Sequence, residues 1–265
     1  MNILLTNDDG IYADGIAVLY QALTQAGHQV HVAAPGSERS AAGHAITVAD
    51  PLRVSYVELE GRIAGHAVDG TPVDCVKLAL SSLLGARPDL VLSGINRGSN
   101  TGDHILYSGT VSAASEAAVS GLPAIAVSLE APFDRRRDLM SFSYAAQFAA
   151  RLCETVFEQG GLPAGTLLNV NVPSCRAEDI RGVRIARQAK FCHENIYEAR
   201  TDPFGRAYYW LNAGNVEVND PPDDAVDFRL VRAGYVVVCP LRYDLTNYEM
   251  LEELKKWDFQ KEKTA

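Results

Sequence analysis

The chain has 265 residues, 47% of them apolar, with a net charge of −9. Such a composition supports a large core and excludes a disordered chain, and the acidity excludes a general grip on nucleic-acid backbone. Five dispersed cysteines without a C-x-x-C pair argue against a disulfide framework or a thiolate zinc site; with no basic leader and apolar run at the start, a cytoplasmic protein is expected.

Strand and helix signals alternate through the first half. Asn2–Thr6 is a short apolar strand that runs into Asn7-Asp8-Asp9-Gly10. Ile16, Leu19, Tyr20 and Leu23 recur at helical spacing, and Gly27 is placed to end that helix. Gln29–Ala34 is a second strand, stopped by Pro35-Gly36 and followed by a polar loop, Ser37–Gly43. Extended segments are expected near Ala45–Val48 and Leu52–Val57. Thr71-Pro72-Val73-Asp74 then combines a capping threonine, a first-turn proline and an aspartate, and starts a helix through Leu84. Leu90–Leu92 is a buried strand leading into the loop Ser93–Asp103. Tyr107-Ser108-Gly109-Thr110 opens an alanine-rich helix to about Ser120, and Ala124–Leu129 is the next strand.

The second half is less regular. A long helix is predicted over Leu139–Glu158, preceded by Arg135-Arg136-Arg137 in a solvated turn. Thr166–Val172 is a strand; Val183–Ala186 and Ala207–Leu211 read as parts of a more antiparallel extension. Tyr235–Cys239 is one more apolar strand, and Tyr248–Trp257 a polar helix. The prediction is therefore an α/β fold: a Rossmann-like, doubly wound, mostly parallel sheet, with a partly antiparallel C-terminal extension. A working division is residues 1–135 for the core that carries the site, and 136–265 for the rest of the core plus the extension.

In such a sheet ligands bind beyond the carboxyl ends of the strands. Three segments there carry small polar residues: Asn7–Gly10, Ser37–Gly43 and Ser93–Asp103. Two adjacent aspartates repel each other, and holding both ionised calls for a cation. Carboxylate, hydroxyl and amide oxygens without thiolates suit a hard ion such as Mg²⁺ or Mn²⁺. Tyr107-Ser108-Gly109-Thr110 ahead of a helix adds exposed amides and hydroxyls, an anion site. A cation beside a phosphate cradle points to hydrolysis at phosphorus. The sequence contains no G-x-G-x-x-G after a strand, no P-loop motif and no G-x-S-x-G, which argues against dinucleotide, P-loop ATPase and serine-hydrolase chemistry.

The ordered set Asn7-Asp8-Asp9-Gly10, Arg39-Ser40, Gly70–Val76, Ser93–Asp103, Tyr107–Val111, Leu168–Pro173, Asp202–Arg206 and Gly234-Tyr235 before Pro240-Leu241 resembles the SurE family of metal-dependent 5′/3′-nucleotidases over nearly the whole chain. The resemblance implies metal ligands at Asp8, Asp9, Ser40 and Asn96, and phosphate contacts from Ser108, Gly109 and Thr110, with Asn96 also near substrate. It implies one Mg²⁺ or Mn²⁺ per subunit and hydrolysis of nucleoside 5′- and 3′-monophosphates by a metal-activated water. Asp8 and Asp9 are the catalytic pair in this reading. Exopolyphosphatase activity on short chains and a homodimer or homotetramer built by C-terminal exchange are further implications; no nucleic-acid polymer or membrane partner is expected. The chain departs from the family pattern at Ala41 after Ser40, at Ala117 after Glu116, and at Cys239 before Pro240.

Other readings of the same residues are simpler. Ser108 and Thr110 serve equally as helix caps, Asn96 as a turn residue, and Ser40 as a solvated loop serine. His104 beside Asp103 suggests a general acid, although such histidines are more often merely solvated. Arg39 and Arg97 are candidates for phosphate contacts. A nucleotide-binding regulatory module without turnover is the alternative function. A phospho-accepting receiver is a further rival, but Leu90–Leu92 leads to Asn96 rather than to an acid.

Overall fold

The computed structural model describes residues 1–59, 63–130, 135–193, 196–212, 216–222 and 225–259. Its centre is a sheet of nine strands. In chain order these are β1 (Asn2–Thr6), β2 (Gln29–Pro35), β3 (Val54–Leu59), β4 (Ile63–Val68), β5 (Leu90–Arg97), β6 (Ala124–Leu129), β7 (Thr166–Val172) and β8 (Val183–Ile185). Four further strands follow: β9 (Phe191–His193), β10 (Ile196–Thr201), β11 (Ala207–Asn212) and β12 (Val216–Val218), before β13 (Val236–Arg242) completes the large sheet. The spatial order is β3-β4-β2-β1-β5-β6-β7-β13-β8. Strands β4 through β7 run parallel in that order; β3 is antiparallel to β4, and β13 is antiparallel to β7.

The helices are α1 (Asp14–Gln25), α2 (Pro72–Leu78), α3 (Gly109–Val119), α4 (Arg135–Glu158), α5 (Asp227–Arg232) and α6 (Tyr248–Leu254). Side-chain alternation along β1 splits the core in two. Ile3 and Leu5 pack in one cluster with Leu19 of α1 and Ala146 and Cys153 of α4; Leu4 packs in the other with Val76 of α2 and Ala114 of α3. A strand buried on both faces needs a continuous apolar run, and Ile3-Leu4-Leu5 supplies it. Burying such a side chain is worth about 1.5–3 kcal/mol, so the register Ile3↔Leu90 and Leu5↔Leu92 is set by the core.

Several expectations are corrected. Ala45–Val48 forms no strand, and the second extended segment is β3 from Val54. β4, rich in small residues, was not foreseen. The helix begun by Thr71 turns from α into a π-helical stretch, Ala79–Leu83. β5 continues to Arg97, so Asn96 lies within a strand rather than in a loop. Arg135–Arg137 belong to the first turn of α4, and their side chains lie outside the described residues. β8 is not part of an antiparallel extension: it joins the large sheet parallel to β13. The antiparallel pairs are β10–β11 and β9–β12. Among the described residues, no helix is long and apolar enough to cross a membrane.

The chain winds from β1 outward through β2 to β4, then returns to β5 on the other side of β1 and proceeds to β7. The winding direction therefore reverses between β1 and β5. The crevice beyond their carboxyl ends is where a ligand site is expected.

Candidate active site at the β1–β5 crevice

β1 ends in a tight loop closed by the Asn7 side chain, whose Nδ2 donates to the Gly10 carbonyl at 2.9 Å. Gly10 holds φ at +96°, and a Cβ there would stand 3.2 Å from the Ser37 carbonyl carbon. The loop therefore turns directly onto the segment after β2, where Ile11 N donates to Pro35 O at 2.8 Å and Arg39 N to Asp8 O at 2.8 Å. This packing presents Asp8 and Asp9 at the crevice.

Asp8 is buried, with 4% of its surface exposed. Its Oδ1 accepts the Thr110 hydroxyl in a short hydrogen bond. Burial pushes its carboxyl above the ordinary range, and the bond from Thr110 pulls it partly back. Asp9 Oδ2 accepts the Arg97 backbone N–H at 3.1 Å. Burial, and next the charge on Asp8, push Asp9 up to about 6. Such a pair gains from any cation that replaces the lost solvation.

Asn96 lies beside Arg97 at the end of β5, just past a bulge. The register against β6 shifts between Ser93 and Asn96, and Gly94 (φ +139°) sits in the shift because a Cβ would meet the Val127 carbonyl oxygen at 2.3 Å. Bulges re-aim the residues that follow. Asn96 Nδ2 donates to Gly98 O at 2.8 Å, which leaves its amide oxygen outside that bond.

The helix α3 contributes the third wall. Ser108 caps it, its hydroxyl accepting from Val111 N at 3.1 Å. The simpler reading of Ser108 therefore holds, and capping leaves the first amides of the helix open to an anion. Gly109 backs onto Asp8: a Cβ there would stand 2.8 Å from Asp8 Cβ and 3.0 Å from its Oδ2. The Thr110 hydroxyl bonds Asp8 directly.

Ser40 is placed differently. It is exposed, and its hydroxyl donates to Glu38 Oε1 at 2.6 Å. Its loop nevertheless abuts the site through Arg39 N. Arg39 directs its guanidinium to Asp69 at 3.1 Å, away from a role of waiting for phosphate. Sequence reasoning missed Glu38, whose charge raises both Asp8 and Asp9; its position directly before Arg39-Ser40 was the available signal.

It also missed the groups that pin this loop. Glu116 of α3, buried with 6% exposure, takes His44 Nε2 at 3.0 Å and Lys77 Nζ at 2.9 Å. Asp74 accepts Thr47 N at 2.9 Å and Thr47 Oγ1 at 2.6 Å while closing a capping box with Thr71. Burial opposes its charge, but these bonds together hold the Asp74 carboxyl below its ordinary range. Across the crevice, Asn100 is locked by Asn171, Ser128 and Asn169. Gly102 N donates to the buried Asp227 at 3.0 Å, which ties the loop between β5 and α3 to the C-terminal half.

Asp8, Asp9 and the Asn96 amide oxygen could hold a hard divalent cation, while the Ser40 hydroxyl is engaged by Glu38. Among the described residues no group of three or more His, Cys, Asp and Glu is suited to a metal, so ligation here would draw on amide and hydroxyl oxygens as well as the two carboxylates. The floor of the crevice fits a polar ligand: Thr6 Oγ1, Asn7 Oδ1 and Ser93 Oγ are buried without a protein partner.

A doubly wound α/β sheet with an acidic pair wedged against a helix N-terminus at its switch point defines a class of proteins that bind phosphorylated ligands. Within that class, the sequence model described as "Survival protein SurE" matches residues 3–195. The chain is 48% identical over 260 residues to the 5′-nucleotidase SurE of Syntrophobacter fumaroxidans, covering 97% of this chain and 100% of that one. It is 45% identical to the protein of the same name from Nostoc sp., covering 98% and 99%. The solved SurE protein from Aquifex aeolicus superposes with a TM-score of 0.79 at 36% identity, covering 96% of this chain and 98% of that one. The chain belongs to the SurE family.

Proposed function

We propose that this protein is a divalent-metal-dependent 5′-nucleotidase, releasing phosphate from nucleoside monophosphates at the β1–β5 crevice. The observation that carries the reading is the direct contact between Asp8 and the first turn of α3, through Gly109 and Thr110. The proposed cation and phosphate positions would share a wall there, an arrangement suited to metal-assisted hydrolysis of a phosphomonoester. The names of the close relatives point the same way.

Asp8, Asp9, Asn96 and Ser40 are the proposed metal ligands. A bound Mg²⁺ or Mn²⁺ would supply Lewis-acid charge at the phosphoryl oxygens and lower the pKa of a neighbouring water. The amides of Gly109 and Thr110 receive the phosphate, with Ser108 keeping them at the helix end. Thr110 holds Asp8 in one orientation by donating to Oδ1. One carboxylate of the Asp8–Asp9 pair would take the proton of that water. The same cradle would accept 3′-monophosphates and the ends of short polyphosphate chains.

The protein is also proposed to work as a homodimer or homotetramer through its C-terminal half. The β10–β11 hairpin and the C-terminal segment expose Phe204, Trp210, Leu245 and Trp257, a concentration of large apolar side chains unusual on a lone subunit.

The test is phosphate release from nucleoside monophosphates and polyphosphate with Mg²⁺, Mn²⁺ or chelator, on the wild type, Asp8→Ala and Asp9→Ala. Metal-dependent release lost in both variants, with nucleotide still bound, supports the enzyme. Binding without release from the wild type would make it a regulatory module instead. Release indifferent to chelator and to both substitutions refutes the metal assignment.

A further inference from the structure

Beside the acidic pair lies a second concavity that the proposed chemistry does not use. It has a volume of about 350 Å³ and is lined by Tyr12, Ser37, Arg53, Ser55 and Asp69, with Val68 at its back. All of these sit at the same edge of the sheet: Tyr12 follows the Asp8–Gly10 loop, Ser37 follows β2, and Asp69 follows β4. Arg53 and Ser55 come from the start of β3, which runs antiparallel, with Ser55 opposite Ala67. Asp69 N donates to Arg53 O at 2.9 Å, joining two of the walls.

We infer that this groove is the nucleoside subsite of the same active centre, with the Tyr12 ring as the platform for the base and Arg53 and Asp69 reading its edge. The inference rests on the nucleotidase reading given above. Three observations carry it.

The first is adjacency. Arg39 bonds Asp8 O through its backbone N–H and Asp69 through its guanidinium. One arginine therefore ties the backbone of the acidic loop to Asp69 in the wall of the groove. The Gly10 loop packs on Ser37, which itself lines the groove.

The second is the chemistry of the walls. Tyr12 is 53% exposed although it stands between the buried Ile11 and the start of α1. An aromatic face left open at a site edge suits base stacking, which tolerates every base. Arg53 offers only donors and Asp69 only acceptors. That complement matches a heterocycle bearing both ring acceptors and an exocyclic amine. It does not match a second phosphate, which Asp69 would repel.

The third is size. The cavity lies at the small end of the range for ligand sites, enough for a base with part of its ribose.

The experiment compares the full-length wild type with Tyr12→Ala and Arg53→Ala, using nucleoside 5′-monophosphates and ribose 5-phosphate, which has the same phosphoester but no base. Stacking losses predict that Tyr12→Ala raises KM for the nucleotides about tenfold with little change in kcat. The preference for nucleotide over ribose 5-phosphate, as a ratio of kcat/KM values, should fall by a similar factor. Competitive inhibition by free adenosine should weaken in parallel in both variants. Unchanged KM and unchanged adenosine inhibition in both variants overturn the subsite, and so does an equal loss on ribose 5-phosphate. A wild type that releases phosphate from none of these substrates overturns the nucleotidase reading and the subsite with it; a wild type that turns over normally beside unaffected variants overturns the subsite alone.

Discussion

Gly109 and Asp8 stand closer than any side chain at position 109 would permit. A Cβ on Gly109 would lie 2.8 Å from Asp8 Cβ, 3.0 Å from its carboxylate oxygen and 3.1 Å from Pro72 Cγ. The requirement for glycine is steric, because φ at this position is not in the left-handed region. Gly109→Ala must push Asp8 or the start of α3 out of place. Overpacking of this kind costs about 1–3 kcal/mol. Nucleotidase activity should fall at least about a hundredfold, since displacements of about 1 Å at a reacting centre have that effect. Thermal denaturation and phosphate release on the one variant check both.

Asp9 gives the metal-free protein a pH dependence whose sign is fixed. Its folded pKa is raised from 3.8 to about 6, so the folded state binds its proton more tightly than the unfolded chain. The favourable contribution is complete below 3.8 and is lost as pH rises through about 6. The loss is about 2 kcal/mol once partial exposure is allowed for. Denaturant midpoints measured in chelator should therefore carry a component from Asp9 that falls between pH 4 and 7 in the wild type. For Asp9→Asn, which has no proton to lose, that component should vanish; identical profiles would exclude a raised Asp9.

Glu116 joins α3, whose first turn touches Asp8, to the loop that carries Ser40. Glu116→Gln removes the charge that His44 and Lys77 share, and those partners are half exposed, so the stability cost is only about 1–2 kcal/mol. The larger effect should be local. Amide hydrogen exchange over residues 43–47 should speed up about tenfold, as expected when about 1.4 kcal/mol of local stability is lost.

Ala41 is the one non-glycine residue with positive φ among those described, at +55°. An L-residue with a Cβ loses about 1–2 kcal/mol in that conformation. Ala41→Gly should therefore stabilise the folded protein by about 0.5–1 kcal/mol after the entropy of the freer unfolded glycine is subtracted. A denaturation midpoint that does not rise would mean the loop relaxes by another route.

The legible parts of this protein were those where local pattern and tertiary role coincide. Ile3-Leu4-Leu5 reads as a doubly buried strand because both faces of β1 are in fact covered. Thr71-Pro72-Val73-Asp74 reads as a helix start because a capping box is a contact between near neighbours. Asp8 and Asp9 stand out because two adjacent charges at a strand end have few structural uses. β4 was illegible for the converse reason: Ile63-Ala64-Gly65-His66-Ala67-Val68 lacks a strong period, and its pairing with β2 and β3 is non-local. The pairing of β8 with β13 escaped notice likewise, since the partners lie far apart in the chain.

By itself the sequence determined that the chain is a doubly wound α/β protein of the SurE type, and which loops hold its acidic and hydroxyl residues. Apolar periodicity, caps and turn residues act over a few neighbouring positions, so a linear reading captures them. Only the tertiary structure decided that Thr110 serves Asp8, that Gly109 must lack a side chain, and that Glu116 anchors the loop. Those outcomes depend on contacts of a few ångströms between segments separated by tens of residues, and such distances exist only once the whole sheet has closed its register.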